Sequence, residues 1–340
     1  MQRNVESQFQ KCILAVPDRI LVATDLTEID YLVPHAIAQA RVCSAKLTFV
    51  HVIASAKSAP SGGTANSCAA HSSLDPAKVI RDARLVLLGV EQQAEAQGIA
   101  CETRVCQGGV SEAIRREISR TDANRLIIGI QGRGKMGHRA LGSVANRLLA
   151  SIDVPVMVIG PQVCNLADHA APRRILHPVS LMDIDDSSIQ LPLNVAQACR
   201  AELTLLHVID PDLMSCVNPA RVSEWADKRL RSMVPVSDLM PAINTRVSFG
   251  ELAEEILKAA DQTQADMILL GSAGCSTWPF SESAACKVLE AASCPVLTYP
   301  HEPYRSQIEE LQAMHFNRPA DPYDHGSIIH ESPDSMAHVS

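Results

Sequence analysis

Five of the chain's 16 glycines fall between positions 129 and 142. Glycines clustered in this way let backbone N–H groups approach a phosphate. Three patterns can be read there. Gly132, Gly134 and Gly137 spell G-x-G-x-x-G. A dinucleotide fingerprint needs that spacing directly after the first strand of a βαβ unit, with an acid closing the next strand. Here the loop follows a fourth strand signal, and the nearest acid, Asp153, precedes the fifth. Gly129, Gly134 and Lys135 approach a P-loop, but Met136 stands where a magnesium-holding hydroxyl belongs. The third pattern is G-x2-G-x9-G-S at Gly129, Gly132, Gly142 and Ser143.

The third pattern places its groups where a polyphosphate needs them. Gly129 ends a strand, so no side chain blocks a sugar from the sheet edge. Gly132 and Gly142 are expected to offer bare amides to phosphate oxygens. Ser143 begins a helix, whose first-turn N–H groups and hydroxyl favour negative charge. Arg133, Lys135, His138 and Arg139 add positive charge in the same loop.

The elements that must position this loop alternate between β and α signals. Short apolar runs at 19–24, 46–53, 99–106, 125–129 and 154–159 read as buried parallel strands. Helical spacing lies between them. Val33, Ile37 and Ala40 mark one helix, and Asp75-Pro76 opens another that runs toward a Gly98 stop. Residues 110–119 and 143–151 complete the set, with Val144 and Leu148 expected on one face. The loop over 54–74 is rich in Ser, Ala and Gly.

The second half repeats the order. Strand signals recur at 173–180, 202–210, 243–249, 267–271 and 294–300, with helical stretches at 186–200, 218–233 and 251–260. His51-Val52-Ile53 and His207-Val208-Ile209 are equivalent tripeptides. Such a long period means a duplicated domain and not a solenoid unit. Each copy should be a doubly wound α/β domain. The boundaries read as 18–161 and 172–300, with an acidic, mostly disordered tail over 301–340.

Composition narrows the function. The 340 residues are 46% apolar, enough for two cores, and only 3% aromatic. Few aromatics disfavour single-strand nucleic-acid readers, and a net charge of −8 disfavours DNA, RNA and anionic lipid. No run of 18 apolar residues spans a membrane, and the first 15 residues lack a secretion signal. Eleven scattered cysteines without CxxC fit free thiols in a reducing cytoplasm, with no zinc site.

The Gly129–Ser143 spacing, the His51-Val52-Ile53 tripeptide and the Val154–Gly160 strand together resemble the universal stress protein family. The resemblance covers about 18–160 well and 172–300 in degraded form. It implies a five-stranded parallel sheet of order 3-2-1-4-5 in each copy, flanked by helices. It also implies an ATP-binding regulatory protein of the stress-response type. Asp25 matches the residue that meets the base and metal end of ATP, and Val52 the one that contacts adenine. The implied site is Asp25, Val52, Gly129, Gly132, Arg133, Gly142, Ser143 and Val144, with Mg2+ accompanying ATP. No catalytic residue is assigned; ATP hydrolysis, if any, should be slow. An unidentified protein partner is implied. So is an intramolecular pseudo-dimer through Val154–Ile159 and Pro295–Tyr299, with a homodimer as a further assembly.

Each reading has a plainer rival. Asp25 alone suits a helix cap or a turn. Val52 suits a core strand, and His51 and His207 suit hydrogen-bonded structural positions. The basic loop could be a solvated face, and the five tail histidines likewise. Alternative functions are a nucleotidyl-transfer or ATP-hydrolysing enzyme of the same fold, and a non-nucleotide assembly module. The second copy has lost the pattern where it matters. Ser180 replaces Asp25, Ala284 and Ala285 replace Gly142 and Ser143, and Trp278-Pro279-Phe280 replaces the basic stretch. That copy is expected to hold no triphosphate.

Overall fold

The computed structural model describes residues 16–54, 75–130, 141–160, 162–163, 171–181, 189–210, 218–235, 241–271 and 284–299. The acidic tail and the basic stretch of the glycine loop lie outside them.

The N-terminal copy runs β1 (Arg19–Ala23), α1 (Ile29–Cys43), β2 (Lys46–Ala54), α2 (Pro76–Glu95), β3 (Cys101–Gly108), α3 (Val110–Thr121), β4 (Arg125–Gly129), α4 (Ser143–Ser151) and β5 (Val156–Ile159). The C-terminal copy runs β6 (Arg174–Pro178), α5 (Gln190–Cys199), β7 (Glu202–Ile209), α6 (Pro219–Met233), β8 (Ile243–Phe249), α7 (Leu252–Thr263), β9 (Met267–Gly271), α8 (Ala284–Ala291) and β10 (Val296–Tyr299).

Local chemistry sets these boundaries. Asp75 caps α2 by accepting from the Ala77 amide at 3.0 Å, and Pro76 occupies the first turn, where no donor is needed. Asn218 and Pro219 do the same for α6. The α2 helix ends at Glu95, before the expected stop, but Gly98 still turns the chain, with φ of 76°. On α1, Val33, Ile37 and Ala40 face the core as their spacing requires.

All strands within a copy pair in parallel, and the N-terminal order is 3-2-1-4-5. The C-terminal copy repeats that order as β8-β7-β6-β9-β10. The copies join edge to edge. β5 and β10 pair antiparallel, with Val158 opposite Val296 and Met157 opposite Leu297. The expected intramolecular pairing is therefore present, as the centre of one ten-stranded sheet.

Both faces of this seam are buried. On one, Val156, Val158, Ile268, Leu270 and Val296 belong to a continuous core that α3, α4, α7 and α8 complete. On the other, Met157 and Leu297 are fully buried. Each such side chain contributes about 1.5–3 kcal/mol.

Packing on α1 has a pH consequence. His35 is buried on that helix and contacts the Val163 backbone, while its Nε2 has no hydrogen-bond partner among the described residues. Burial pulls its pKa below the usual 6.5. Below that pH the unfolded chain takes up a proton that the folded chain resists. Stability should fall by at most about 1.4 kcal/mol per pH unit as pH drops below 6.5 toward the folded value. Denaturant unfolding of His35→Gln between pH 7.5 and 5 should show a shallower decline than the parent. Equal slopes would remove His35 as the cause.

Candidate functional site

Strands β1 and β4 are neighbours, yet the chain leaves them toward opposite sides of the sheet, to β2 and to β5. This is the topological switch point, where open α/β sheets form a crevice at their carboxyl ends. Ala23 pairs with Ile128, so Thr24 and Gly129 stand at the same level of that edge.

The turn leaving β1 is tight. Leu26 adopts a left-handed conformation, with φ of 72°, and its amide donates to Thr24 Oγ1 at 2.9 Å. Asp25 Oδ1 accepts from the Thr27 amide at 2.8 Å and from the Thr27 hydroxyl at 2.5 Å. Asp25 is thus the turn residue its plainer reading describes, but only on one oxygen. Its Oδ2 is buried without a hydrogen-bond partner among the described residues. Such an atom is costly to leave unpaired and is an acceptor awaiting a donor.

Glu28 and Tyr31 also face this point, and neither was singled out in the sequence. A Cβ built on Gly129 would lie 2.0 Å from Glu28 Oε2. The Glu28 carboxylate thus lies across the strand end, and a side chain at position 129 would require that flexible group to move aside. Burial, followed by the Glu28 and Asp25 carboxylates, pushes the Tyr31 phenol above its ordinary range. The spacing from Asp25 to Glu28 was the available signal.

On β2, Val52 is partly buried against the core. His51 Nδ1 lies 2.9 Å from the Thr24 carbonyl, and His207 Nδ1 lies 2.9 Å from that of Val179. The two histidines tie equivalent strand ends together, in accord with a structural role.

The other side of the crevice is the start of α4. The Gly142 amide donates to the Ile130 carbonyl at 3.2 Å, which brings the helix back to the end of β4. This amide was expected to face a phosphate and is instead used within the fold. The amides of the first helical turn remain, and among the described residues no side chain caps the helix. Ser143 is exposed at the first position. Val144 was expected on the same face as Leu148, yet it is 42% exposed while Leu148 and Ala145 are buried. The first turn therefore presents Val144 partly to solvent. Gly132 and Arg133 lie outside the described residues, as do Lys135, His138 and Arg139.

The crevice thus divides its chemistry. Carboxylates and a phenol stand at β1, and an uncapped helix N-terminus stands at β4. In the C-terminal copy the matching ground differs. A Gly271 Cβ would lie 3.3 Å from the Tyr299 hydroxyl, and α8 begins at Ala284. Tyr299 is buried, with its ring 6.3 Å from that of His177.

The family model described as the universal stress protein family matches residues 17–160 and again 172–300. The chain belongs to the universal stress protein family. Solved structures agree on the fold of a tandem universal stress protein. One from Archaeoglobus fulgidus is similar with a TM-score of 0.62 and 18% identity, over 85% of this chain and 98% of that chain. A functionally unknown protein from Pseudomonas aeruginosa gives 0.56 and 15% identity, over 88% of this chain and 99% of its own. A putative universal stress protein from Pseudomonas aeruginosa gives 0.53 and 15%, with the same two coverages of 88% and 99%. A search of curated proteins found no match. Among the described residues, no helix is long and apolar enough to cross a membrane.

Proposed function

We propose that this universal stress protein binds one ATP in the N-terminal copy and acts as a nucleotide-responsive regulator. The observation that carries the reading is the buried Oδ2 of Asp25, without a partner among the described residues, in the turn that leaves β1 at the switch point. The division of charge suits a nucleoside polyphosphate. Ribose hydroxyls and base amino groups are donors, and Asp25 with Glu28 supplies acceptors. The phosphates go to the first turn of α4, to the Ser143 hydroxyl and to the basic loop that includes Gly132 and Arg133. Val52 and the exposed Val144 offer apolar contact to the base and sugar.

The residues present also fit a divalent cation. Asp25 Oδ2 and the Glu28 carboxylate are hard oxygen ligands of the kind Mg2+ takes. When bound, the ion offsets repulsion between the triphosphate and these acids. The Glu28 carboxylate leaves its place against Gly129 as the sugar enters, which exposes the strand end.

In the C-terminal copy Tyr299 fills the ground before Gly271, and Ala284 and Ala285 stand in for Gly142 and Ser143. These features support a single site per chain, with the second copy serving the assembly.

The test uses the purified full chain, denatured to release and identify any nucleotide, followed by equilibrium titration with ATP. The parent should carry or bind ATP at a stoichiometry near one. Gly142→Val places a branched side chain where the helix start meets the ligand and should abolish binding. An empty parent that also ignores added ATP would overturn the reading, and rapid multiple turnover would make the protein an enzyme.

A further inference from the structure

Among the described residues, several hydrogen bonds hold the start of α4, and one of them comes from the other copy. The Gly142 amide reaches the Ile130 carbonyl at 3.2 Å, and Asn146 Nδ2 donates to the Leu141 carbonyl at 3.3 Å. The Leu141 amide donates to Glu290 Oε1 at 2.7 Å, across 149 positions of sequence. Glu290 lies on α8, the last helix of the C-terminal copy.

This contact is built into the fold. Leu141 is buried, at 6% exposure, so its amide has no bulk water to fall back on. Glu290 is itself partly buried and receives a second donor, the Cys286 thiol one turn earlier, at 3.4 Å on the same oxygen. Burial and Glu290 push that thiol up to about 12, so it remains a neutral donor. Helices α4 and α8 share one core with the β5–β10 seam, which keeps the two partners in register. A charge-assisted bond in such a setting is short and directional.

We propose that Glu290 is a positioning residue, through which the C-terminal copy fixes the entry to α4 and so sets the ATP affinity of the N-terminal copy. The inference rests on the ATP reading given above, but its geometry does not. The amides that would face phosphate belong to Ser143 and Val144, two and three residues after the pinned Leu141. A shift of the helix start by a fraction of an ångström would misdirect them. The second copy, without a site of its own, then acts as the clamp on the first.

The test compares full-length Glu290→Met, which keeps length but offers no acceptor, with Glu290→Gln, which keeps an acceptor oxygen. Lys287→Ala, on the exposed side of α8, serves as control. Hydrogen exchange at the Leu141 amide and ATP titration are the two readouts. Glu290→Met should speed exchange at Leu141 and weaken ATP by about tenfold, with β10 amides as protected as in the parent. Glu290→Gln should restore both to within about threefold of the parent, and Lys287→Ala should leave both unchanged. Glu290→Ala repeats the loss should the methionine variant fold poorly. Unchanged exchange in Glu290→Met, faster exchange with unchanged affinity, or a glutamine variant as impaired as methionine would each overturn the proposal. A parent that binds no ATP would reject the ATP reading, and exchange at Leu141 would then decide alone whether Glu290 holds the helix start.

Discussion

Asp25→Ala should weaken ATP binding by about ten- to a hundredfold and leave the fold in place. The two carboxylate oxygens have separate duties. Oδ1 holds the turn through the Thr27 amide and hydroxyl, at 2.8 and 2.5 Å. Oδ2 is buried and has no partner among the described residues. A hydrogen bond to a charged acceptor contributes about 1.5–3 kcal/mol, which is the stated range in affinity. The same substitution removes two turn bonds of about 1 kcal/mol each, but it also removes a buried acceptor left unsatisfied among the described residues, whose desolvation costs about 1–3 kcal/mol. The two effects nearly offset, so the denaturation midpoint should move little. Calorimetric titration beside denaturant unfolding separates the cases. An unchanged Kd would take Asp25 out of the site. A lost fold with no folded fraction to titrate would make Asp25 a structural turn residue.

The comparison of β4 with the crevice in front of it shows what a sequence can carry. β4 and β9 were readable to the residue, because each is a short apolar run closed by a glycine at the crevice edge. α4 was equally readable, since Gly142 and Ser143 mark its start. α8 has little signal of its own beyond the repeat, because the residues that would mark its start are two alanines. Order 3-2-1-4-5 came from the family resemblance, since alternation alone does not rank strands in a sheet.

Side-chain placement in the site was less legible for a physical reason. Helical periodicity put Val144 beside Leu148, but periodicity describes the middle of a helix, and in the first turn Val144 is 42% exposed. Gly142 was read as a phosphate donor from its type, whereas the Ile130 carbonyl takes its amide. Glu28 before Gly129 follows from the tight turn at Leu26, a conformation that leucine rarely adopts and that no pattern announces. Glu290 is still further from view. Its partner is a backbone amide, which has no sequence identity at all.

Leu297→Ala should lower the stability of both copies together, by about 2–5 kcal/mol. Leu297 is fully buried and pairs with Met157 of the N-terminal copy on one side and with Leu269 of its own copy on the other. The cavity would therefore open at the seam itself. Val158 and Val296 close the opposite face within a core drawn from both copies. Neither half then keeps its interior if the other unfolds, and the parent should melt in one cooperative step. Denaturant unfolding followed by tryptophan fluorescence reports on the C-terminal copy, which holds both tryptophans, Trp225 and Trp278. Hydrogen exchange in β1 and β4 reports on the N-terminal copy. Both signals should shift to the same lower midpoint in the variant. A variant in which only the tryptophan transition moves, while β4 keeps its protection, would mean that the copies stand independently and merely touch. In that case a clamp from α8 onto α4 would have no rigid frame to act through.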